Sequence, residues 1–311
     1  MIVIPAALLG VFAALVVAHH VTQPGIYTAP APGTPVHATA AQGRYVGVYE
    51  PGSPGSYAPV RAFEATSGVR PNLALYYSSW WEPFRLQFAK AAYTNGAMPF
   101  VQMIPHGRGV SVDRVAQGQY DGYLRTFAEQ VRRYGHPVVL GFAAEANGSW
   151  YNWGFKHLSP KVWIAAWRHV VTVFREQGAD NVTWLWTINR SGKRTGPVRD
   201  WWPGSTYVNW IGIDGYLEEP PSTFSGVFAP TIAQVRQFSN DPILLAETAV
   251  GPLADPAGKI PGMFDGIRAD HLLGLVWFDK AQHNGVYHQD WRLEDDPPAL
   301  AVFRKAANNF K

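Results

Sequence analysis

The sequence contains no cysteine, which rules out disulfides and thiolate metal sites and leaves the redox compartment undecided. Charge is also scarce: 16% of the 311 residues are Asp, Glu, Lys or Arg, and the net charge is only +3. So small and scattered a balance gives no support for a nucleic-acid partner. The longest basic cluster, Arg190-Ser-Gly-Lys193-Arg194, reads as a solvated loop. No Gly-rich phosphate loop follows any apolar run, and neither a Gly-x-Ser-x-Gly elbow nor a His-Glu-x-x-His helix occurs. His106 has no second His and no acid at ligand spacing, so a metal is not expected and no cofactor is implied.

What the chain does have is aromatic rings, with 13 Trp and 14 Tyr. Clusters such as Trp80-Trp81, Trp201-Trp202 and Trp150/Tyr151/Trp153 lie at the ends of segments rather than inside apolar runs. Residues Ile2–Ala18 form an uncharged apolar run, long for a signal h-region and short for a spanning helix. Residues 19–43 are rich in Pro, Ala and Thr without one charge, as in a tether. Residues 1–18 are therefore expected to be a signal peptide or membrane anchor, 19–43 a linker, and 44–311 the working domain, a monomer outside the cytoplasm.

From Arg44 onward short apolar runs alternate with amphipathic stretches. The expected strands are Tyr45–Tyr49, Leu73–Tyr77, Met98–Ile104, Val138–Ala144, Val182–Ile188, Trp210–Ile213, Ile243–Ala246 and Leu273–Phe278. Helical patterns fall at Phe84–Tyr93, Tyr120–Tyr134, Lys161–Gln177, Thr231–Phe238 and Ala299–Asn308, with none clear around Arg190–Tyr207. Near-continuous apolar strands joined by crossovers imply parallel pairing buried on both faces, and eight of them favour a closed (β/α)₈ barrel over an open doubly wound sheet.

Chemistry in such a barrel sits at the C-terminal ends of the strands. The run Pro137-Val-Val-Leu-Gly-Phe-Ala-Ala144 leads straight into Glu145 and then into Asn147, Gly148, Trp150, Tyr151 and Trp153. The seventh strand ends in Glu247, across the barrel mouth from the fourth. Two carboxyls facing each other across an aromatic cleft suit glycoside hydrolysis, one as acid and the other as nucleophile or base. Glu145, following two alanines and facing indoles, is expected to favour its protonated form and act as the acid. Glu247 would be the nucleophile, held ionised by a donor such as Tyr216 or Arg190. Sequence does not give the gap between the two groups, on which retention or inversion depends. Trp80 and His106, at the ends of the second and third strands, are expected to touch substrate.

These residues resemble glycoside hydrolase family 26. Glu145-Ala-Asn-Gly-Ser-Trp-Tyr-Asn-Trp-Gly154 is similar to the family's acid/base motif, Tyr207-Val-Asn-Trp-Ile-Gly-Ile-Asp-Gly-Tyr216 to its sixth-strand segment, and Leu245-Ala-Glu-Thr248 to the nucleophile strand. Val182-Thr-Trp-Leu-Trp186, Val276-Trp-Phe278 and Asp290-Trp-Arg292 match in the same order. The resemblance implies Glu145 as acid/base, Glu247 as nucleophile, Tyr216 as its partner, and Trp150 and Trp277 lining the sugar cleft. It further implies retention, no cofactor, and a β-linked polysaccharide, most often β-1,4-mannan, with mixed-linkage β-glucan or xylan as alternatives. One departure matters: the family's His before the acid/base is Ala144 here, in the subsite where the sugar C2 hydroxyl is read, with His106 or Gln102 as possible replacements. From another class, a non-catalytic glycan-binding barrel fits the same aromatic cleft, and transglycosylation would use the same two glutamates.

Overall fold

The computed structural model describes residues 38, 40–41, 43–281 and 289–310. The apolar run Ile2–Ala18 and most of 19–43 lie outside the described residues. Among those described, no helix is long and apolar enough to cross a membrane.

Eight strands close into one parallel barrel: β1 (Tyr45–Tyr49), β2 (Leu73–Ser79), β3 (Met98–Ile104), β4 (Val138–Phe142), β5 (Val182–Asn189), β6 (Trp210–Asp214), β7 (Ile243–Thr248) and β8 (Gly274–Phe278). β1 closes the ring on β8 with Tyr45 opposite Gly274 and Tyr49 opposite Phe278. Helices α1 (Ala58–Ser67), α2 (Leu86–Thr94), α3 (Val112–Ala116), α4 (Asp121–Tyr134), α5 (Pro160–Glu176), α6 (Phe224–Val235), α7 (Pro256–Ala269) and α8 (Pro297–Asn308) lie between and after the strands. Between β5 and β6 only two short 3₁₀ turns occur, Val198–Trp201 and Ser205–Tyr207, in keeping with the absence of a helical pattern there.

The near-continuous apolar strands are buried on both faces because alternate residues serve two cores. Tyr45, Leu73, Leu75, Phe100, Val139, Leu185, Trp210, Leu244 and Val276 fill the barrel interior. Their neighbours Val46, Val48, Ala74, Tyr76, Val101, Leu140 and Trp277 pack outward against the helices. Toward the C-terminal ends the interior turns polar, with Gln102 donating to Thr187 Oγ1 at 2.8 Å beneath the mouth. Gly141 makes room for Gln102, since a Cβ there would stand 2.2 Å from its Oε1.

α6 begins seven residues before the expected stretch, with Pro230 inside it. The Thr223 side chain caps it by accepting from Gly226 N–H at 3.1 Å, and Phe224, Val227, Phe228 and Ile232 bury one face. Packing of that face outweighs the hydrogen bond a proline removes. α7, with Pro261 and three glycines inside it, was not among the expected helical stretches, and neither was α1.

Candidate active site

Two backbone irregularities set the site. At the end of β4, Ala143 and Glu145 both take left-handed backbone conformations, φ 47° and 56°, each costing on the order of 1 kcal/mol or more for a residue with a side chain. Neighbouring groups hold this kink in place: Trp163 Nε1 donates to Ala143 O at 3.2 Å, Trp153 Nε1 to Ala144 O at 2.9 Å, and Glu145 N–H to Thr187 O at 2.9 Å. On β7 a bulge places Leu245 opposite Leu275 but Thr248 opposite Trp277, so three residues advance against two. Leu244 and Ala246 already face the interior, and strict alternation would send Glu247 outward into the helix layer. The extra residue turns it back toward the barrel mouth, the re-aiming that bulges perform.

Each glutamate is then held by two side-chain donors. Glu145 accepts from Asn189 Nδ2 on Oε1 and from Trp150 Nε1 on Oε2 at 2.8 Å. Asn189 is itself fixed, because its N–H and its carbonyl bond the two ends of the Asn147 amide at 2.9 and 2.8 Å. Glu247 accepts from the Tyr77 hydroxyl on Oε1 and from the Tyr216 hydroxyl on Oε2 at 3.0 Å. Around it stand Tyr49, with its ring 5.0 Å from Tyr77 and stacked on Phe278 at 4.8 Å, and Trp291, 4.7 Å from the Tyr216 ring.

Burial pushes both carboxyls up, opposed in each by its two donors. Glu247 reaches about 7, with burial as the largest cause and the negative charge of Glu145 as the next. Groups that interact this strongly titrate as a pair, so between them they retain a proton at mildly acidic pH. A third carboxyl, Asp214 at the end of β6, is fully buried and no side-chain donor reaches either oxygen. Burial, then the charges of Glu247 and Glu145, push it well above the usual carboxylate range. Among the described residues, no group of three or more His, Asp or Glu is arranged to hold a metal ion.

The structure brings Glu145, Glu247, Trp150 and Tyr216 together at the mouth. Several other sequence expectations need correction. Trp277 is fully buried on the outer face of β8, 5.1 Å from the Phe303 ring of α8, with Nε1 donating to Trp291 O at 3.0 Å, so it cannot line the cleft. It sits opposite Val48, which also faces the helices. Trp80 is likewise buried, among Tyr120, Tyr123 and Phe142, and the exposed indole of that pair is Trp81. Trp153 is buried and stacked on Tyr151 at 4.3 Å, so it shapes the Glu145 loop instead of offering a face to sugar. The indole of Trp150 donates its N–H to Glu145, which favours the ionised form; burial, not indole proximity, raises that group. Arg190 pairs with Glu218 at 3.3 Å and not with Glu247.

His106 is exposed at the end of β3, and no hydrogen bond joins its ring to either glutamate. Gln102 is fully buried, with its amide donating to Thr187 Oγ1. Tyr77 was not singled out as a site residue, and Asn189 was read only as the end of the fifth strand. Their inward register after Leu73 and Leu75, and after Leu185 and Thr187, was the signal available in the sequence.

Comparison with known proteins bears on the family and the fold. The family model described as glycosyl hydrolase family 26 matches residues 110–306. Endoglucanase H of Acetivibrio thermocellus is 28% identical over 272 residues, covering 82% of this chain and 29% of that protein. A β-1,3-xylanase of a Vibrio species, TXYA, is 28% identical over 186 residues, 58% of this chain and 39% of its own length. The chain thus spans between about a quarter and two fifths of these relatives. Among solved structures, a modular endo-β-1,4-mannanase from Cellulomonas fimi superposes with a TM-score of 0.64 at 16% identity, over 86% of this chain and 75% of that one, a likeness of fold.

Proposed function

The chain belongs to glycosyl hydrolase family 26, and from that premise we propose that it is a retaining endo-β-glycanase with Glu145 as acid/base and Glu247 as nucleophile. The observation that carries the proposal is the matched holding of two carboxyls on β4 and β7 at one barrel mouth, each by two side-chain donors. In the first step protonated Glu145 gives its proton to the glycosidic oxygen, the C1–O bond breaks, and a Glu247 oxygen bonds C1. In the second, the Glu145 carboxylate takes a proton from water, whose oxygen bonds C1 while the Glu247–C1 bond breaks. Asn189 and Trp150 aim Glu145, and Tyr77 and Tyr216 stabilise the charge on Glu247 before it attacks C1 and as it leaves.

The substrate is a β-linked polysaccharide, with β-1,4-mannan first. β-Glucan is the second reading. It is favoured by the endoglucanase that aligns over most of this chain and by Ala144, which offers no polar group beside the acid/base to read the sugar C2 hydroxyl. Export, with release or tethering, belongs to the same proposal and rests on the sequence of residues 2–43 alone.

The test is a product screen of the purified chain on β-mannan, mixed-linkage β-glucan and xylan, with the first-formed anomer read by proton NMR. Release of β-anomer from one of these, abolished in Glu247→Ala, is expected. Undiminished turnover by Glu247→Ala would remove Glu247 as nucleophile, and release of α-anomer would overturn retention.

A further inference from the structure

We propose that Trp81 is a second glycan-binding platform, set back from the cleavage point, which takes the apolar face of a pyranose ring farther along the same β-linked chain. The inference rests on the glycanase reading and extends it to a site on β2 that neither carboxyl touches.

The backbone makes the first case. Glu82 N–H bonds Ser79 O at 3.2 Å, closing a turn whose third position is Trp81 with φ 75°. That position, following an ordinary second residue, is the positive-φ place of a type II turn, which favours glycine because a Cβ crowds the backbone there. Tryptophan is among the least suited residues for it. Burial offsets only part of that cost, since the residue is 50% exposed. Among the described residues only Tyr93 and Leu253 are large apolar side chains left as open, and Tyr93 is stacked on the His136 ring at 3.7 Å. A strained bulky residue that leaves its indole in water points to a use for that indole.

The surroundings make the second case. Tyr120 and Tyr123 meet the indole at 5.5 and 5.4 Å with steep interplanar angles of 85° and 67°, so they fix its tilt. Both are pinned: the Tyr120 hydroxyl donates to Gly109 O at 2.8 Å, and that of Tyr123 to Glu82 O at 3.0 Å. Gly107 adds no side chain over the ring, and a Cβ there would come within 3.5 Å of Trp81 Cδ1. A ring held this firmly loses little freedom when a ligand stacks on it. Its negative face suits the weakly positive C–H face of a sugar.

Position makes the third. Trp81 follows by four residues the Tyr77 that bonds Glu247, so at most about 14 Å of extended backbone separates their Cα atoms. The platform borders the same mouth yet stands off the reacting bond, within reach of a longer chain.

The test compares Glu247→Gln with Glu247→Gln/Trp81→Ala for binding of β-1,4-manno- and β-1,4-gluco-oligosaccharides, from disaccharide to hexasaccharide, by calorimetry. Loss of the indole is expected to weaken the longest ligands about tenfold, with a deficit that grows with chain length. Trp81→Gly, which relieves the turn, is expected to weaken them equally; retained affinity in Trp81→Gly would trace the alanine effect to the turn and overturn the platform. Equal affinity at every length with and without the indole overturns the platform and leaves the glycanase reading standing. Failure of Glu247→Gln to bind any of these glycans overturns both.

Discussion

The tyrosine pair on Glu247 gives the sharpest prediction. Tyr77→Phe removes one hydroxyl donor from Oε1 and leaves the ring, its contact with Tyr49 and the Tyr216 donor in place. A hydrogen bond to a charged group contributes about 1.5–3 kcal/mol. The protonated carboxyl retains part of any bond it accepts, and Tyr216 still stabilises the anion. A differential of about 1.4 kcal/mol is therefore the reasonable share of Tyr77, equivalent to about one pKa unit. Burial and the Glu145 charge push the Glu247 carboxyl up to about 7 even with the Tyr77 and Tyr216 hydroxyls holding it down, so loss of the Tyr77 hydroxyl moves it further upward. In the proposed mechanism the nucleophile works ionised, so kcat/KM is expected to rise with pH as Glu247 loses its proton. The acid limb of the profile should shift to higher pH by about one unit, with about tenfold loss below the limb and a smaller loss on the plateau. The assay is kcat/KM against pH for the parent, Tyr77→Phe and Tyr216→Phe on one soluble substrate. A uniform drop at all pH values, or an acid limb that stays or moves down, would refute the reasoning.

Gly148→Ala should cut kcat/KM by about tenfold to hundredfold with an unchanged far-UV spectrum. The new Cβ would meet Trp150 Cζ2 at 2.3 Å and displace the indole from Glu145, removing one charge-assisted bond. Trp277→Phe should lower stability in urea by about 1–2 kcal/mol through the lost bond to Trp291 O, yet leave KM unchanged; a raised KM would put Trp277 back in the cleft. Glu50→Gln should raise Tm at pH 8 and have little effect at pH 4. Burial, then the neighbouring Asp279, pushes Glu50 up to about 10, so native stability is full below the unfolded-state value near 4.5 and falls as pH rises toward the folded one. An equal Tm change at both pH values would exclude that linkage.

The barrel was legible because its signal is local. A parallel strand buried on both faces needs an unbroken apolar run, and every one of the eight expected runs became a strand, with ends moved by no more than two residues. The placement of Glu145 and Glu247 at the ends of the fourth and seventh strands was legible in the same way, from position along the chain. Indole chemistry was less legible. Trp80, Trp150, Trp153 and Trp277 look alike at segment ends, yet Trp150 bonds Glu145, Trp153 and Trp277 hold backbone carbonyls, and Trp80 is packed among other rings.

The sequence by itself determined that this chain would close a ring of eight buried strands and bring two glutamates to one end of it. Periods of two and 3.6 residues and the side chains that favour them are written within each short segment. Only the tertiary structure decided which way those glutamates would point and what would hold them. Alternation along β7 would have turned Glu247 toward the helices, and a bulge defined by its pairing with β6 and β8 turned it inward. Its donor Tyr77 lies 170 residues away, and Asn189 lies 44 residues from Glu145. Hydrogen bonds and cross-strand register between segments so distant exist only after the ring has closed, so no local pattern can encode them.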